Sequence, residues 1–192
     1  DRAGLVVEPR LLAEMIADVA DRPGALPLLQ YALTELAERA EDGVLSLEAY
    51  RRIGRVSGAL ARRAEQLFEP LNEPSRDACR QLFLRLVTLG EGTEDTRHRV
   101  RHSELLTLGE TRAMDAVIET YGRHRLLSFD RDPDTREPTV EIAHEAFLRE
   151  WARLRGWIGA SRDDLRLHAK ISSATYEWDA AGRDADYLLT GA

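Results

Sequence analysis

The sequence predicts a mainly α fold: a four-helix bundle over residues 1–72, a winged helix (a helix-turn-helix variant with a β-hairpin) over 73–150, and a helical tail over 151–192. Three observations predict it. Apolar residues recur at helical spacing through most of the chain. Two segments, Leu126–Phe129 and Thr139–Ile142, read instead as strands flanking the turn Asp132-Pro133-Asp134. Between Pro74 and Ile142 the elements follow as helix, strand, helix, helix, strand, turn, strand, which is the order of a winged helix.

Pro9 suits a first helical position, where its missing N–H is not needed. Leu11, Leu12, Met15, Ile16 and Val19 then place one apolar face on that helix, and Asp21-Arg22-Pro23-Gly24 ends it. A second helix carries Leu29, Leu33 and Leu36. Asp42-Gly43 makes a turn, Ser46 caps a short helix with Leu47 and Tyr50, and Gly54 closes it. A fourth helix opens at Ser57 with Leu60, Ala64, Leu67 and Leu71 inward. Asn72-Glu73-Pro74 marks a boundary. A helix from Pro74 to Thr88 buries Ala78, Leu82, Phe83 and Leu86, and a polar loop spans Gly90 to Thr96. Arg97–Arg101 suits a short edge strand, and Ser103 caps a brief helix through Leu108. Thr111–Tyr121 is a longer helix with Met114, Val117, Ile118 and Tyr121 inward. In the tail, Phe147, Leu148, Trp151, Leu154, Trp157 and Ile158 form a heavy apolar stripe. A further helix runs from Ser161 to Trp178, Gly182-Arg183-Asp184 interrupts it, and Tyr187-Leu188-Leu189 begins another element.

Composition narrows the function. At 43% hydrophobic residues the chain is not a disordered one. No apolar run reaches the roughly 18–20 residues of a membrane span, and no signal peptide opens the sequence. Cys79 is the single cysteine, so a reducing, cytoplasmic setting is expected. The opening Asp1-Arg2-Ala3 reads as a cut from the middle of something longer. A net charge of −7 argues against nucleic acid as the main partner. Lys170 is the sole lysine, a bias ordinary for a GC-rich coding genome.

Catalytic motifs are missing from the sequence. There is no G-x-x-x-x-G-K-[ST] phosphate loop, no G-x-S-x-G elbow, no H-E-x-x-H and no C-x-x-C. No catalytic residue is assigned, and the chain alone is not expected to be an enzyme. His98 and His102 are four apart but lack a third ligand, so no metal site is assigned. Two segments are more pointed. Gly24-Ala25-Leu26-Pro27-Leu28-Leu29 places a proline just inside a helix, where it is either a helix start or a flat apolar contact. Ile142-Ala143-His144-Glu145-Ala146-Phe147-Leu148 joins the last strand to the stripe-bearing helix. His144 is there either a buried structural histidine or a donor to an anion.

Both segments, in order around a winged helix, resemble the STAND class of P-loop signalling ATPases, relatives of the NB-ARC proteins of plant immunity and apoptosis. Gly24-Ala25-Leu26-Pro27-Leu28 resembles the GLPL-type motif, whose proline packs near the adenine. Ala143-His144-Glu145 resembles the MHD-type motif, whose histidine touches the β-phosphate of ADP, with Ala for Met and Glu for Asp. Leu26–Glu38, Gly54–Ala64, Leu82–Thr96 and Val140–Trp157 are similar to recurrent stretches of the bacterial novel STAND NTPase group, often followed by a WD-repeat propeller. Trp178–Ala192 resembles that group's link toward the sensor.

The resemblance implies a regulatory fragment of a signalling ATPase. Pro27, His144 and Gly24 would clamp ADP or ATP, with Mg, held by an upstream P-loop domain that supplies the Walker motifs. No cofactor is expected for the fragment itself. Its partners would be that upstream domain, a C-terminal repeat sensor and further copies on activation, with no membrane. Two other readings stand beside it: a winged-helix DNA-binding regulator, and a structural interaction scaffold. Against the former, Asp115 and Glu119 face outward with Arg112 and Arg123 on the candidate recognition helix.

Overall fold

In the computed structural model, which describes residues 4–20, 25–90 and 92–184, helices dominate, as the apolar periodicity predicts. Val6–Val7 (β1) runs parallel to Val44–Leu45 (β2). Pro9 opens α1 (Pro9–Val19), where Leu11 and Met15 are buried. Leu12 and Ile16, expected on the same face, are 55% and 57% exposed. They lie about 100° further round the helix, and no part of the described chain covers them. The breaker Asp21-Arg22-Pro23-Gly24 lies outside the described residues.

In α2 (Ala25–Glu38) the core face comprises Leu28, Tyr31, Ala32, Glu35 and Leu36. The expected face is therefore rotated: Leu36 is buried, but Leu29 is only half-buried and Leu33 is exposed. The reason is Glu35, a charged residue that the apolar pattern skips. Its carboxylate is buried because Arg63 Nε donates to it at 3.0 Å and Arg39 pairs with it at 3.1 Å. Asp42 and Gly43, both with positive φ (51° and 73°), make the turn into β2. Ser46 caps α3 (Leu47–Arg52) by accepting from Ala49 N–H at 3.1 Å. Gly54 (φ 89°) then redirects the chain into α4 (Arg55–Phe68), which starts two residues before the expected Ser57.

Asn72 Oδ1 accepts from Ser75 N–H and caps α5 (Glu73–Arg85). That helix stops three residues short of the expected Thr88. The β-branched pair Val87–Thr88 (β3) instead pairs antiparallel with Thr96–Arg97 (β4). The expected single strand Arg97–Arg101 is thus divided, its end becoming Val100–Arg101 (β5). His102–Leu105 (α6) starts before the expected cap Ser103, and α7 (Thr111–Arg123) buries Met114, Val117, Ile118 and Tyr121. Leu127–Arg131 (β6) and Pro138–Ile142 (β7) pair antiparallel, Leu127 opposite Ile142 and Phe129 opposite Val140, with sheet order β5-β7-β6. Asp132 Oδ1 accepts from the N–H groups of Asp134 and Thr135, which fixes the turn between them.

The apolar stripe of the tail is split. Ala146–Glu150 (α8) and Ala152–Ala160 (α9) are separated at Trp151, whose backbone is extended (ψ 102°). The break sends α8 against α4 and α9 against α5. Arg162–Ala180 (α10) follows and buries none of its residues. Tyr187-Leu188-Leu189 lies outside the described residues. A single apolar cluster runs from Leu11 to Ile158, across the boundary expected at Asn72. Polar bonds stitch it: Tyr121 O–H donates to Ala64 O at 3.1 Å, and Trp151 Nε1–H to Glu65 Oε2 at 2.9 Å. Arg153 brackets the same carboxylate, with Nε 3.1 Å from each oxygen.

Two outcomes follow from this packing. Trp151→Ala should cost about 3–5 kcal/mol and lower one melting transition, seen at the same temperature by near- and far-UV circular dichroism. Arg153, and then the Trp151 indole, hold the Glu65 carboxyl below its ordinary pKa. Its contribution is present above the unfolded pKa and disappears as pH falls through the lowered folded value. Glu65→Gln should therefore destabilise by about 1 kcal/mol at pH 7, a modest figure for a part-exposed pair, and flatten the acid limb of a urea-denaturation series.

Candidate functional site

The junction between β7 and α8 is fixed on both sides. Ala143 N–H donates to Leu126 O at 3.0 Å, extending the hairpin ladder by one residue. Phe147 N–H donates to His144 O at 2.9 Å and Leu148 N–H to Glu145 O at 3.0 Å, which starts the next helix. Phe147 and Leu148 are buried and anchor α8 in the core, so His144 is held where the chain changes from strand to helix.

His144 is half-buried, and among the described residues its imidazole has no hydrogen-bond partner. Its neighbour is Arg97 of β4. The Arg97 guanidinium donates from Nη1 to Ile142 O at 2.9 Å and to Ala143 O at 3.2 Å, and lies 3.9 Å from Glu141. Burial first, and then the Arg97 charge, push the His144 pKa below its ordinary value. The ring is therefore neutral at pH 7, with one N–H to donate and one nitrogen to accept. A guanidinium and an unpartnered imidazole side by side favour an anion: the guanidinium supplies fixed charge, and an approaching anion favours protonation of the ring. Sequence reasoning missed Arg97. The only signal was its place in a short polar strand, and nothing local ties it to a residue 47 positions later.

Pro27 lies in the first turn of α2 and is exposed, beside Leu26 at 75% exposure. Gly24 lies outside the described residues. Leu28 is buried, so the turn is anchored with its Leu26-Pro27 edge open to solvent. The fold gives Pro27 and His144 a common support: α4 packs against α2 on one side and α8 on the other. More uncovered apolar side chains belong to the same part of the chain: Val6, Val7 and Val44 of the β1-β2 pair, and Leu12 and Ile16 of α1.

The remaining candidates turn elsewhere. His98 Nδ1 lies 3.3 Å from Arg85 O, and His102 Nε2 lies 3.3 Å from Asp115 Oδ1. Among the described residues no group of three or more His, Cys, Asp or Glu could hold a metal ion. On α7, Arg112, Asp115, Glu119 and Arg123 are all exposed, with Glu119 and Arg123 paired at 3.4 Å. Cys79 is buried beside Tyr121, and burial raises its thiol pKa to about 12, which leaves it unreactive at neutral pH. Among the described residues no helix is long and apolar enough to cross a membrane.

The His144 environment has a titration signature. In an NMR pH series its imidazole should titrate below its ordinary value, and Arg97→Gln should move it part of the way back, since burial remains. Because the folded pKa lies below the unfolded one, the folded chain should lose stability as pH falls through that interval.

Two comparisons with known proteins give nothing: no curated protein and no solved structure matches the chain. A family model does match, over residues 1–186: that of Novel STAND NTPase 1.

Proposed function

The chain belongs to the Novel STAND NTPase 1 family, and from that premise we propose that it is the regulatory part of a STAND-type signalling ATPase. On this reading residues 1–72 are the helical domain, 73–150 the winged-helix domain and 151–192 the link toward a C-terminal repeat sensor. The nucleotide, ADP or ATP with Mg, is bound by a P-loop domain upstream. The order α5, β3, β4, β5, α6, α7, β6, β7, with a three-stranded antiparallel sheet of β5, β7 and β6, supports the winged-helix assignment.

One observation carries the proposal: the half-buried, unpartnered His144 imidazole beside the Arg97 guanidinium. These residues fit a phosphate oxygen. On this reading they form half of a site. The other half would come from the P-loop domain, and the uncovered side chains Leu12, Ile16, Leu26 and Leu33 offer that domain an apolar surface. Pro27 would bear on the base and so would not distinguish ADP from ATP. His144 would bear on the phosphates and so could. A single charge-assisted hydrogen bond contributes about 1.5–3 kcal/mol, roughly a ten- to hundred-fold bias between the closed and open states. Release of the clamp would permit assembly of several copies.

DNA binding by the hairpin-bearing unit is the second reading. The outward face of α7 disfavours it, since Asp115 and Glu119 sit among its exposed residues.

The test uses the full-length protein. His144→Ala should weaken ADP binding by about 1.5–3 kcal/mol, weaken ATP binding less, and favour the assembled form. Calorimetry of both nucleotides, with melting temperature alongside, measures it. A folded variant with an unchanged ADP-to-ATP affinity ratio would make His144 a packing residue and remove the switch role.

A further inference from the structure

The outer side of the hairpin-bearing unit carries a groove of about 930 Å³ that plays no part in the reading above. One wall is α10; the other is the end of α5 with β3, and His98 and Glu104 stand at the rim. Leu84, Val87, Leu89 and Leu165 supply its apolar lining. Helix α10 is attached chiefly at its N-terminal end. Arg80 donates to Ser161 Oγ at 2.8 Å, Arg162 pairs with Asp95 at 2.8 Å, and the Arg85 guanidinium contacts the His168 imidazole.

This groove gathers several cations that no acidic side chain neutralises. Acidic side chains outnumber Lys and Arg by 34 to 27, so carboxylate partners are in surplus. Yet among the described residues Arg80, Arg85 and Lys170 have no carboxylate partner. Arg80 is satisfied by a hydroxyl and Arg85 by a neutral imidazole. Lys170, the sole lysine, shares the groove with them. His98 and His168 both bond to Arg85, one through its carbonyl and one through its side chain. Arg166 is paired with Asp163, and the opposing acids within the groove are Glu104 and Asp164. With Arg166 set against Asp163, the three cations Arg80, Arg85 and Lys170 face two carboxylates, which leaves the groove positive by one charge in a protein of net charge −7.

We propose that this groove is a phosphate-binding site, with Arg80, Arg85 and Lys170 as its fixed cations and the His98 and His168 rings as flanking hydrogen-bond donors. Guanidinium forks match phosphate oxygens in pairs. The phosphate would replace the His168 ring as the acceptor for Arg85, so the cation exchanges a neutral partner for a charged one. Burial followed by the Arg85 charge lowers the His168 pKa, so that ring is neutral when the groove is empty. A phosphate dianion reverses that balance. A small diphosphate and a phosphorylated side chain of a polypeptide both carry such a group; the shared chemistry is the dianion.

The test follows the imidazole NMR signals of all five histidines while pyrophosphate, or separately a short peptide with one phosphoserine, is titrated at constant ionic strength. The expected result is a saturable shift at His98 and His168, with His102 and His124 unmoved. Pyrophosphate acting alone identifies a small ligand; the phosphopeptide acting alone identifies a modified protein segment. Lys170→Glu, at an exposed position, should weaken the apparent affinity about tenfold, as loss of one charge-assisted contact requires. Arg85→Glu should do the same, and the Lys170 variant serves if the Arg85 variant does not fold. No saturable shift at His98 or His168 with either probe overturns the proposal, as does a drift shared by all five histidines or an undiminished affinity in folded Lys170→Glu. A shift confined to His144 also overturns it while favouring the nucleotide reading, so the two proposals fail separately.

Discussion

The position of one indole holds this molecule together. Trp151 is fully buried and lies 5.1 Å, ring to ring, from both Phe83 and Phe147, and 5.3 Å from Trp157, with Phe68 and Tyr121 slightly further off. These rings belong to α4, α5, α7, α8 and α9, so one side chain sits among most of the helices in the core. An indole buried to that degree needs an acceptor, and Glu65 of α4 supplies it. Glu65 in turn needs a cation, and Arg153 of α9 supplies that while lying 4.0 Å over the Phe68 ring. The break between α8 and α9 is the backbone conformation that serves this arrangement. A continuous helix would carry Phe147, Trp151 and Leu154 along a single line; the extended residue lets the two halves pack on different helices.

Much of the fold could be read because its signals are local. Pro9, Ser46 and Asn72 stand where helices begin, and Ser46 and Asn72 form the cap bonds that their chemistry favours. The β6-β7 hairpin follows from strand-forming residues on either side of an Asp-Pro-Asp turn. What could not be read depends on partners distant in sequence. Periodicity marks α1 as apolar at Leu11, Leu12, Met15 and Ile16, but it cannot tell which of these the rest of the chain covers. In α2 the buried Glu35 is invisible to an apolar count, because Arg63, 28 residues later, is what allows it to be buried. The end of α5 is hidden for the same reason: Val87 and Thr88 tolerate a helix, and only the arrival of Thr96 and Arg97 makes them a strand.

The candidate site divides in the same way. His144 could be singled out from sequence by its place between a strand and a helix, and its exposure and geometry are consistent with that interest. Its environment could not. Arg97 reaches it through its side-chain bonds to Ile142 O and Ala143 O, a long-range contact rather than any local motif. The same is true of the α10 groove, where Arg80, Arg85, His98 and His168 come from segments that nothing in the sequence links. Residue types at a site are local information; the charge field in which they act is a property of the fold.

That field has a mechanical counterpart in α4. Ala59, Leu60, Ala64 and Phe68 bury one side of this helix, and through it the core is continuous between the elements that carry Pro27 and His144. Interiors packed at crystal-like density have two ways to respond to a load: they move as a block or they come apart. Sliding α8 along α4 by even a fraction of a turn would leave the buried Trp151 N–H without its Glu65 acceptor and pull Phe147 and Trp151 off the rings they pack against. Each such loss costs on the order of 1–3 kcal/mol, comparable with the whole bias that one phosphate contact at His144 supplies. On the proposed reading, then, the energy available at the phosphate is too small to rearrange this body internally. It suffices to decide whether the body, with Pro27 and His144 held in fixed relation, stays seated against the domain that holds the nucleotide.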